Sequence, residues 1–160
     1  GWRANYVQSI GRDLPPAGEG SIFSRIIDSG MSDEEANIVH RGATCFVILN
    51  AFPYGTGHSL VLPYREVANL ESLDDGEQTE LWATVTDLVR AVKTAYAPDG
   101  VNVGLNLGRA AGGSVSEHLH VHVLPRWTGD ANFMTSIANT RTLPEALVDT
   151  AAKLRAAWPS

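Results

Sequence analysis

Three histidines alternate with apolar residues in one short segment, and this pattern restricts the local structure more than any other feature of the chain. The segment His118–Pro125 reads HLHVHVLP. Neighbouring side chains of a β-strand point to opposite faces of the sheet, so the pattern predicts a strand whose polar face carries His118, His120 and His122. The leucine and the valines between them then enter the core.

Other segments predict further strands. Residues Ala43–Asn50 are rich in β-branched and aromatic side chains, and a Pro/Gly turn separates them from His58–Pro63. Two such segments joined by a short turn are typical of an antiparallel hairpin. Val101–Leu107 alternates like a strand and is followed by the small-residue loop Gly108–Ser114.

Capping patterns predict three helices. A capping box opens a short helix over Asp33–Val39. The segment Ser72–Asp75 caps a long helix that runs to about Tyr96, with apolar residues at helical spacing. Thr142 begins a final helix with an apolar stripe. Strands and helices together predict an α+β domain in which a few helices accompany an antiparallel sheet.

The length of 160 residues fits one compact domain. Residues Gly11–Gly20 contain two prolines and three glycines, a composition that favours a loop or linker over a helix or a strand. We therefore expect residues 1–20 to form an N-terminal extension and residues 21–160 to form the domain.

Charge and cysteine content exclude several classes of protein. Twelve basic and 18 acidic residues give a formal net charge of −6 at pH 7. A protein that coats nucleic acid or an anionic membrane needs a basic face, so we expect neither partner. No apolar run approaches the roughly 20 residues of a membrane span. The single cysteine, Cys45, cannot form an internal disulfide, which favours a reducing, cytoplasmic compartment.

The histidine face has three interpretations. The first is a polar sheet face whose imidazoles are solvated or bonded to the backbone. The second is a zinc site, because histidines at positions i and i+2 of a strand can chelate the ion, although no cysteine or carboxylate follows at ligand spacing. The third is an anion site, since same-face positions about 7 Å apart suit an extended anionic group.

The neighbourhood of the histidines favours phosphate. The loop Gly108–Ser114 can offer backbone N–H groups to an anion. Arg126 either screens an oligophosphate or is simply solvated. A neutral histidine whose Nδ1–H is held by a carbonyl directs its Nε2 lone pair outward and is a competent nucleophile towards phosphorus. Proximity and fixed dipoles then supply most of the catalysis.

The segment His118–Leu124 resembles the signature of the histidine triad (HIT) superfamily, HxHxH followed by two hydrophobic residues. Three further parts resemble that family: its CIFCxI segment (Ser21–Ile27), its PGHxLVxP hairpin (Asn50 and His58) and its phosphate loop (Asn106 and Gly112–Ser114). Residues 102–108 and 117–134 are similar to a bacterial branch that includes diadenosine tetraphosphate phosphorylases.

The resemblance implies a HIT-like five-stranded antiparallel sheet with one long and one C-terminal helix, paired in a homodimer. It also implies an enzyme, a nucleotidyl hydrolase or transferase. Such enzymes cleave dinucleoside polyphosphates at the α-phosphate through a nucleotidyl-histidine intermediate. The implied partner is thus a purine nucleotide or a dinucleoside polyphosphate, whereas water and inorganic phosphate both stay open as acceptors.

The family's site residues carry over position by position. His120 corresponds to the nucleophile, His118 and His122 to groups that bond the phosphates or the leaving group, and His58 completes the imidazole cluster. The substrate-binding positions are Asn50 for the ribose, Asn106, Gly113 and Ser114 for the phosphates, and Ile22, Phe23, Ile26 and Ile48 for the base. Core packing explains those four apolar residues almost equally well. Trp127 either stacks on a base or packs at a dimer edge.

Three positions depart from the family pattern. Ser21 and Ser24 stand where the family has the two cysteines of a zinc half-site, and Glu66 stands where many relatives have histidine. We therefore expect no structural zinc, no metal ligand and no required cofactor, and we expect hydrogen bonds or packing to hold this region. A divalent cation that accompanies the substrate stays open.

A non-catalytic alternative uses the same histidine face. The chain would then be a purine-nucleotide-binding or metal-binding module, because imidazoles bind without needing to react. Three aligned histidines are more than a binding site alone requires, and this favours the enzyme.

Overall fold

The computed structural model describes residues 19–113, 115–130 and 145–160. The strands are β1 (Ile38–Arg41), β2 (Cys45–Leu49), β3 (Ser59–Pro63), β4 (Gly100–Leu105) and β5 (Val121–Arg126). The helices are α1 (Ile22–Asp28), α2 (Asp33–Ala36), α3 (Asp75–Tyr96) and α4 (Leu147–Ala156). Two short 3-10 turns cover Leu70–Ser72 and Arg109–Ala111.

The five strands form one antiparallel sheet in the order β1-β2-β3-β5-β4. This confirms the α+β fold and the predicted hairpin of β2 and β3. Strand β5 lies inside the sheet, where His122 pairs with Leu60 of β3 and with Gly104 of β4. The sheet therefore brings the histidine segment beside the hairpin that carries His58.

Both faces of the central strands are buried. Val47 and Val61 pack in one cluster with α3 and α4, whereas Phe46 and Leu60 pack in a second cluster with α1. Neighbouring residues of a strand thus enter opposite layers of core. This explains why β2 and β3 are continuous apolar runs rather than alternating ones.

The predicted short helix over Asp33–Val39 is wrong at its C-terminal end. The capping box is present, but α2 ends at Ala36 because Asn37 takes the left-handed conformation with φ 54°. Asparagine tolerates this region of backbone space better than most residues. The β-branched residues that follow begin β1, a strand that the sequence analysis did not predict.

The long helix is confirmed. Asp74 caps α3 by accepting a hydrogen bond from the Glu77 amide, and the Glu77 side chain accepts one from the Asp74 amide. The helix ends at Tyr96, and Ala97 turns the chain with φ 43° one residue before Pro98. The Tyr96 ring at this end of α3 lies close to Gly57, the residue before His58, since a Cβ at Gly57 would lie 3.4 Å from it.

Two predicted boundaries are corrected. Strand β5 begins at Val121 rather than His118, so His118 and His120 precede the strand, although Leu119 still enters the core as expected. The final helix begins at Leu147 without a side-chain cap. Its predicted first residue, Thr142, lies outside the described residues.

The predicted extension over residues 1–20 lies almost wholly outside the described residues, so the domain boundary stays a prediction. None of the helices that the structure describes is long and apolar enough to cross a membrane.

Candidate active site

Two histidines from neighbouring strands share a hydrogen bond. His58 directly precedes β3 and is 1% exposed, and its Nε2 lies 2.9 Å from Nδ1 of His122 on β5. The antiparallel pairing of β3 with β5 sets this contact, because Leu60 is the register partner of His122. The sheet thus joins the predicted fourth histidine to the triad.

Hydrogen bonds determine where the protons of this pair lie. The Tyr54 amide donates to His58 Nδ1 over 3.1 Å, and an amide can only donate. The neutral His58 ring therefore carries its proton on Nε2 and donates it to His122 Nδ1. His122 in turn carries its own proton on Nε2, a buried atom with no hydrogen-bond partner among the described residues.

The middle histidine presents the opposite nitrogen. His120 Nδ1 donates to the carbonyl oxygen of His118 over 2.7 Å, so the Nε2 of neutral His120 holds a lone pair. Its ring centroid lies 5.0 Å from that of His122, with the rings nearly perpendicular at 68°. A nucleophilic nitrogen and an unpaired N–H donor therefore lie on neighbouring rings.

The first histidine of the triad has no nitrogen left for a ligand. His118 Nε2 donates to the carbonyl oxygen of Pro63 over 2.8 Å, and its Nδ1 lies 2.6 Å from Ser21 Oγ. The ring is 1% exposed. This arrangement does not support the expected contact between His118 and a phosphate; His118 instead contacts the protein at both nitrogens.

Burial keeps the imidazoles neutral. Desolvation lowers the pKa of His58 to about 3, and the neighbouring imidazoles of His122 and His120 lower it further. Desolvation first and His120 second lower the pKa of His122 to about 4. Burial also lowers the pKa of His118 and of His120 below the usual value. All four rings are therefore neutral at pH 7, which preserves the lone pair of His120.

Asn50 is brought next to His58 by the hairpin. Its Oδ1 accepts a hydrogen bond from the Phe52 amide over 3.0 Å, and its Nδ2 lies 3.4 Å from His58 Nδ1. The Asn50 amide also donates to the carbonyl oxygen of His58. Its predicted role in ribose binding stays a prediction.

The four candidate residues for the base belong largely to the core. Phe23, Ile26 and Ile48 are buried in the cluster under α1, and Ile22 packs against that cluster while partly exposed. Phe23 also contacts the histidines, since its ring centroid lies 5.7 Å from both His118 and His120. Packing accounts for all four positions, and their role as a base pocket stays a prediction.

The predicted phosphate loop folds tightly upon itself. A Cβ at Gly113 would lie 3.4 Å from the Gly108 carbonyl oxygen and 3.5 Å from that of Asn106. Gly108 and Gly112 have positive φ angles of 75° and 96°. These distances are ordinary contacts, so what favours glycine in this loop is the positive φ of Gly108 and Gly112 rather than lack of space. Ser114 lies outside the described residues.

Trp127 and Arg126 make contacts away from the imidazoles. The Trp127 ring meets Tyr96 edge to face at 6.5 Å. Arg126 forms an ion pair with Asp130 and donates to Asn102 Oδ1 over 2.8 Å. The Arg126 guanidinium is therefore paired within the chain, and its expected part in screening a polyphosphate is not supported by this geometry.

Sequence reasoning missed one aromatic residue at the histidine cluster. The ring of Tyr54 is 60% exposed and lies 4.9 Å from that of His58 and 6.5 Å from that of His122. The signal was its place in the Pro/Gly turn four residues before His58, where the hairpin must fold back.

The positions of the family zinc site form a hydrogen-bonded group. Ser21 and Ser24 meet the Glu66 carboxylate and the His118 ring within hydrogen-bond distance. Zinc prefers thiolate, imidazole and carboxylate ligands, so two hydroxyls make a poor donor set for it. No cluster of three or more His, Cys, Asp or Glu residues suited to a metal ion occurs in the described ranges.

Comparison with solved structures gives the same fold. An HIT-like protein from Bartonella henselae superposes with a TM-score of 0.69 at 26% identity, covering 88% of this chain and 98% of that protein. A zinc-bound histidine triad family protein from Mycobacterium smegmatis superposes with a TM-score of 0.69 at 27% identity, covering 86% and 92%.

Sequence comparison is more specific. The chain is 50% identical over 128 residues to a protein of Mycobacterium tuberculosis (strain H37Rv) named AP-4-A phosphorylase. The match covers 80% of this chain, which spans 66% of that relative's length. The profile of the HIT domain matches residues 32–129, which include the hairpin, the long helix and all three alternating histidines. The chain therefore belongs to the HIT family.

Proposed function

We propose that this protein cleaves dinucleoside polyphosphates, such as diadenosine tetraphosphate, at the α-phosphate through a nucleotidyl-histidine on His120. The observation that carries the proposal is the pair of complementary nitrogens on adjacent rings. His120 Nε2 has a lone pair, and the buried His122 Nε2–H has no partner among the described residues. The 50% identity to a protein named AP-4-A phosphorylase supports the substrate class.

In the first step, the lone pair of His120 Nε2 attacks the α-phosphorus. A P–N bond forms while the P–O bond to the distal polyphosphate breaks, and the electron pair goes to the leaving oxygen. His122 Nε2–H is placed to donate a hydrogen bond to that oxygen, and the neutral ring keeps its proton while the polyphosphate leaves as its anion. The hydrogen bond from His58 to His122 Nδ1 orients this donor.

In the second step, an oxygen of inorganic phosphate attacks the nucleotidyl phosphorus, and the proton that this phosphate carries goes to water. The P–N bond breaks, and its electron pair returns to His120 Nε2. For diadenosine tetraphosphate the first step releases ATP, and the second releases ADP. The name of the Mycobacterium tuberculosis relative supports phosphate over water as acceptor.

Charge for the polyphosphate comes from sources other than the imidazoles. All four rings are neutral at pH 7, and Arg126 is paired with Asp130. Backbone N–H groups of the loop Gly108–Gly113 and a divalent cation bound by the substrate supply the positive dipoles and charge. The chain itself needs no resident zinc, because the hydroxyls of Ser21 and Ser24 hydrogen-bond His118 and Glu66 and hold this region together.

The protein acts as a homodimer in the cytoplasm. Among the strands that the structure describes, β4 has a neighbour on one side only, and Val103 in that edge strand is 44% exposed. Open strand edges with exposed apolar side chains pair readily with a second copy. Cys45, the single cysteine, is buried and unpaired, as is usual in a reducing compartment.

One incubation tests the reaction. Diadenosine tetraphosphate is supplied with and without inorganic phosphate, and the products are separated by chromatography. ADP and ATP that appear only with phosphate establish phosphorolysis, whereas AMP and ATP without phosphate establish hydrolysis and correct the acceptor. We expect His120→Ala to abolish turnover while AMP still binds. Near-normal turnover in that variant, or binding without turnover in the wild type, contradicts the proposal and favours a binding module.

A further inference from the structure

A hydrogen-bonded network runs from the surface carboxylate of Glu66 to the buried ring of His118. Glu66 Oε2 accepts from the Ser21 amide over 2.7 Å and from Ser24 Oγ over 2.8 Å. Ser21 Oγ accepts from the Ser24 amide over 3.1 Å and contacts His118 Nδ1 at 2.6 Å. The network joins α1 to a chain segment 97 residues away.

The proton positions in this network are determined by its two ends. The Pro63 carbonyl can only accept, so the Nε2 of His118 carries the proton and its Nδ1 is an acceptor. Ser21 must then donate its hydroxyl proton to His118. Ser24 donates its own to the Glu66 carboxylate, so the 3.2 Å contact between the two serine oxygens carries no proton in this arrangement.

Through His118 the network reaches the ring of His120, whose Nε2 is the proposed nucleophile. The main-chain carbonyl of His118 is the acceptor for His120 Nδ1–H. This hydrogen bond selects the tautomer in which Nε2 of His120 keeps its lone pair. The His118 ring is clamped between Ser21 and Pro63, and the next amide, that of Leu119, donates to the Val67 carbonyl over 2.7 Å. The position of the His118 carbonyl therefore depends on groups held at both sides of the segment.

We propose that Ser21, Ser24 and Glu66 are positioning residues for the reaction, which hold His118 so that its carbonyl orients the nucleophilic ring of His120. This inference rests on the proposed function, because it assigns His120 as the nucleophile. The three residues do not touch the substrate. They act through His118, with hydrogen bonds at the positions where the family pattern has zinc ligands.

Matched substitutions separate this role from a purely structural one. Ser21→Ala removes the donor to His118, and Glu66→Ala removes the acceptor that holds the two serines. Ser21→Thr retains the hydroxyl, and Glu66→Gln retains an oxygen that can accept both hydrogen bonds. Ser32→Ala is the control, because Ser32 caps α2 as Ser21 caps α1 and is bonded to Glu35 rather than to a histidine.

We expect kcat for diadenosine tetraphosphate to fall roughly 10- to 100-fold in Ser21→Ala and Glu66→Ala, the range typical of a misplaced catalytic group. KM should change by less than about threefold, since the affected step is chemistry. Ser21→Thr and Glu66→Gln should recover most of the lost rate, and Ser32→Ala should match the wild type. Wild-type kcat in both alanine variants, or an equal loss in Ser32→Ala, overturns the proposal.

Nitrogen NMR of the imidazoles gives a readout that needs no turnover. The wild type should show the Nε2–H tautomer for His118 and the Nδ1–H tautomer for His120. Ser21→Ala should abolish or mix the His120 tautomer, whereas Ser32→Ala should leave it unchanged. An unchanged His120 tautomer in Ser21→Ala overturns the positioning role even if kcat falls. Absence of turnover in the wild type, with the tautomers as expected, refutes the proposed function instead.

Discussion

His58 Nε2 lies 2.9 Å from His122 Nδ1, and this contact leaves the proton of His122 on the nitrogen that faces away from His58. His58 is itself directed by the Tyr54 amide, which donates to its Nδ1. A backbone amide thus sets the protonation of a ring two hydrogen bonds away. The donor for the leaving group is prepared before any substrate binds.

The first prediction concerns this contact. We expect His58→Ala to lower kcat at least about tenfold, because the tautomer of His122 is no longer selected and its hydrogen bond to the leaving oxygen is weakened. The loss should appear in steady-state kinetics with an unchanged affinity for AMP. His40→Ala is the control, since His40 stacks on Trp158 at 4.4 Å, outside the cluster. Equal kcat in His58→Ala and the wild type would contradict the role of the pair.

The second prediction concerns pH. His58 has a pKa of about 3 in the folded protein against 6.5 in a solvated chain, so the unfolded state binds more protons between these values. The free energy of unfolding therefore rises with pH in this window. The contribution from neutral His58 is fully present above pH 6.5 and is lost as the pH falls towards 3.

Urea unfolding between pH 5 and 7 measures this dependence before most carboxylates titrate. His58→Gln should reduce the slope of unfolding free energy against pH, because it removes one of the histidines whose pKa is lowered in the folded protein. The acid limb of kcat/KM should also lie below pH 6.5, since burial lowers the pKa of His120. An identical slope in the variant, or an acid limb above pH 6.5, would disprove these expectations.

The third prediction concerns Gly57, which directly precedes His58. It has φ +80°, and an added Cβ would lie 2.8 Å from Pro125 Cγ. We expect Gly57→Ala to cost about 3 kcal/mol in unfolding free energy from backbone strain and overlap combined, and to lower kcat by displacing His58. Gly30→Ala separates the two causes, because Gly30 has φ +76° with nothing within 4 Å.

For Gly30→Ala we expect a loss of about 1 kcal/mol from the positive φ alone, with unchanged kcat. Chemical denaturation of both variants beside the wild type gives the comparison. The explanation fails if the two substitutions cost the same.

The fourth prediction concerns zinc. We expect the wild type to bind no stoichiometric zinc, and the combined variant Ser21→Cys, Ser24→Cys and Glu66→His to bind about one ion per chain with His118 as the fourth ligand. The tautomer of His118 suits this role, because its Nε2–H is held by the Pro63 carbonyl and Ser21→Cys releases its Nδ1 from the Ser21 hydroxyl. Metal analysis after dialysis measures both proteins.

The control for zinc is the double variant Ser21→Cys and Ser24→Cys. It retains Glu66 in place of the introduced histidine ligand, so we expect it to bind zinc more weakly. Stoichiometric zinc in the wild type would show that the serines do not exclude the ion.

The fifth prediction concerns the edge strand. If the proposed homodimer pairs through β4, we expect Val103→Asp to convert it to a monomer, because a buried charge opposes pairing of β4 with a second copy. Val148→Asp is the control, since Val148 is 59% exposed on α4. Size-exclusion chromatography coupled to light scattering measures the molar mass of the wild type and of both variants. A Val103→Asp variant that remains dimeric would place the interface elsewhere.

The periodic features of the sequence predicted the parts of the fold that depend on local pattern. Alternation at Leu119 and Val121 identified core residues, and the predicted capping segment Ser72–Asp75 contains the observed N-cap of α3, Asp74. Strand β1 was missed because its beginning depends on the left-handed turn at Asn37 and on burial against the helices. Neither the left-handed turn nor the burial can be read from a short stretch of sequence.

The histidine cluster was predictable as a group, and the family resemblance singled out His120, but it gave His118 and His122 the same role. Alternation alone made the three rings equivalent. The structure distinguishes them through partners distant in sequence: Ser21 and Pro63 for His118, and His58 for His122. Such long-range hydrogen bonds leave no periodic signal. The family pattern identified the positions of the histidines, whereas the hydrogen-bond partners of each ring distinguish His118 from His122.

The double engagement of His118 links folding and reactivity in one residue. Its side chain hydrogen-bonds both the N-cap of α1 and the end of β3, and its main-chain carbonyl accepts a hydrogen bond from the ring of His120. A random substitution at this position therefore changes stability and rate together, and neither trait can be optimised there alone. His122 differs, because its outward nitrogen makes no hydrogen bond in the described part of the chain and is left to a ligand.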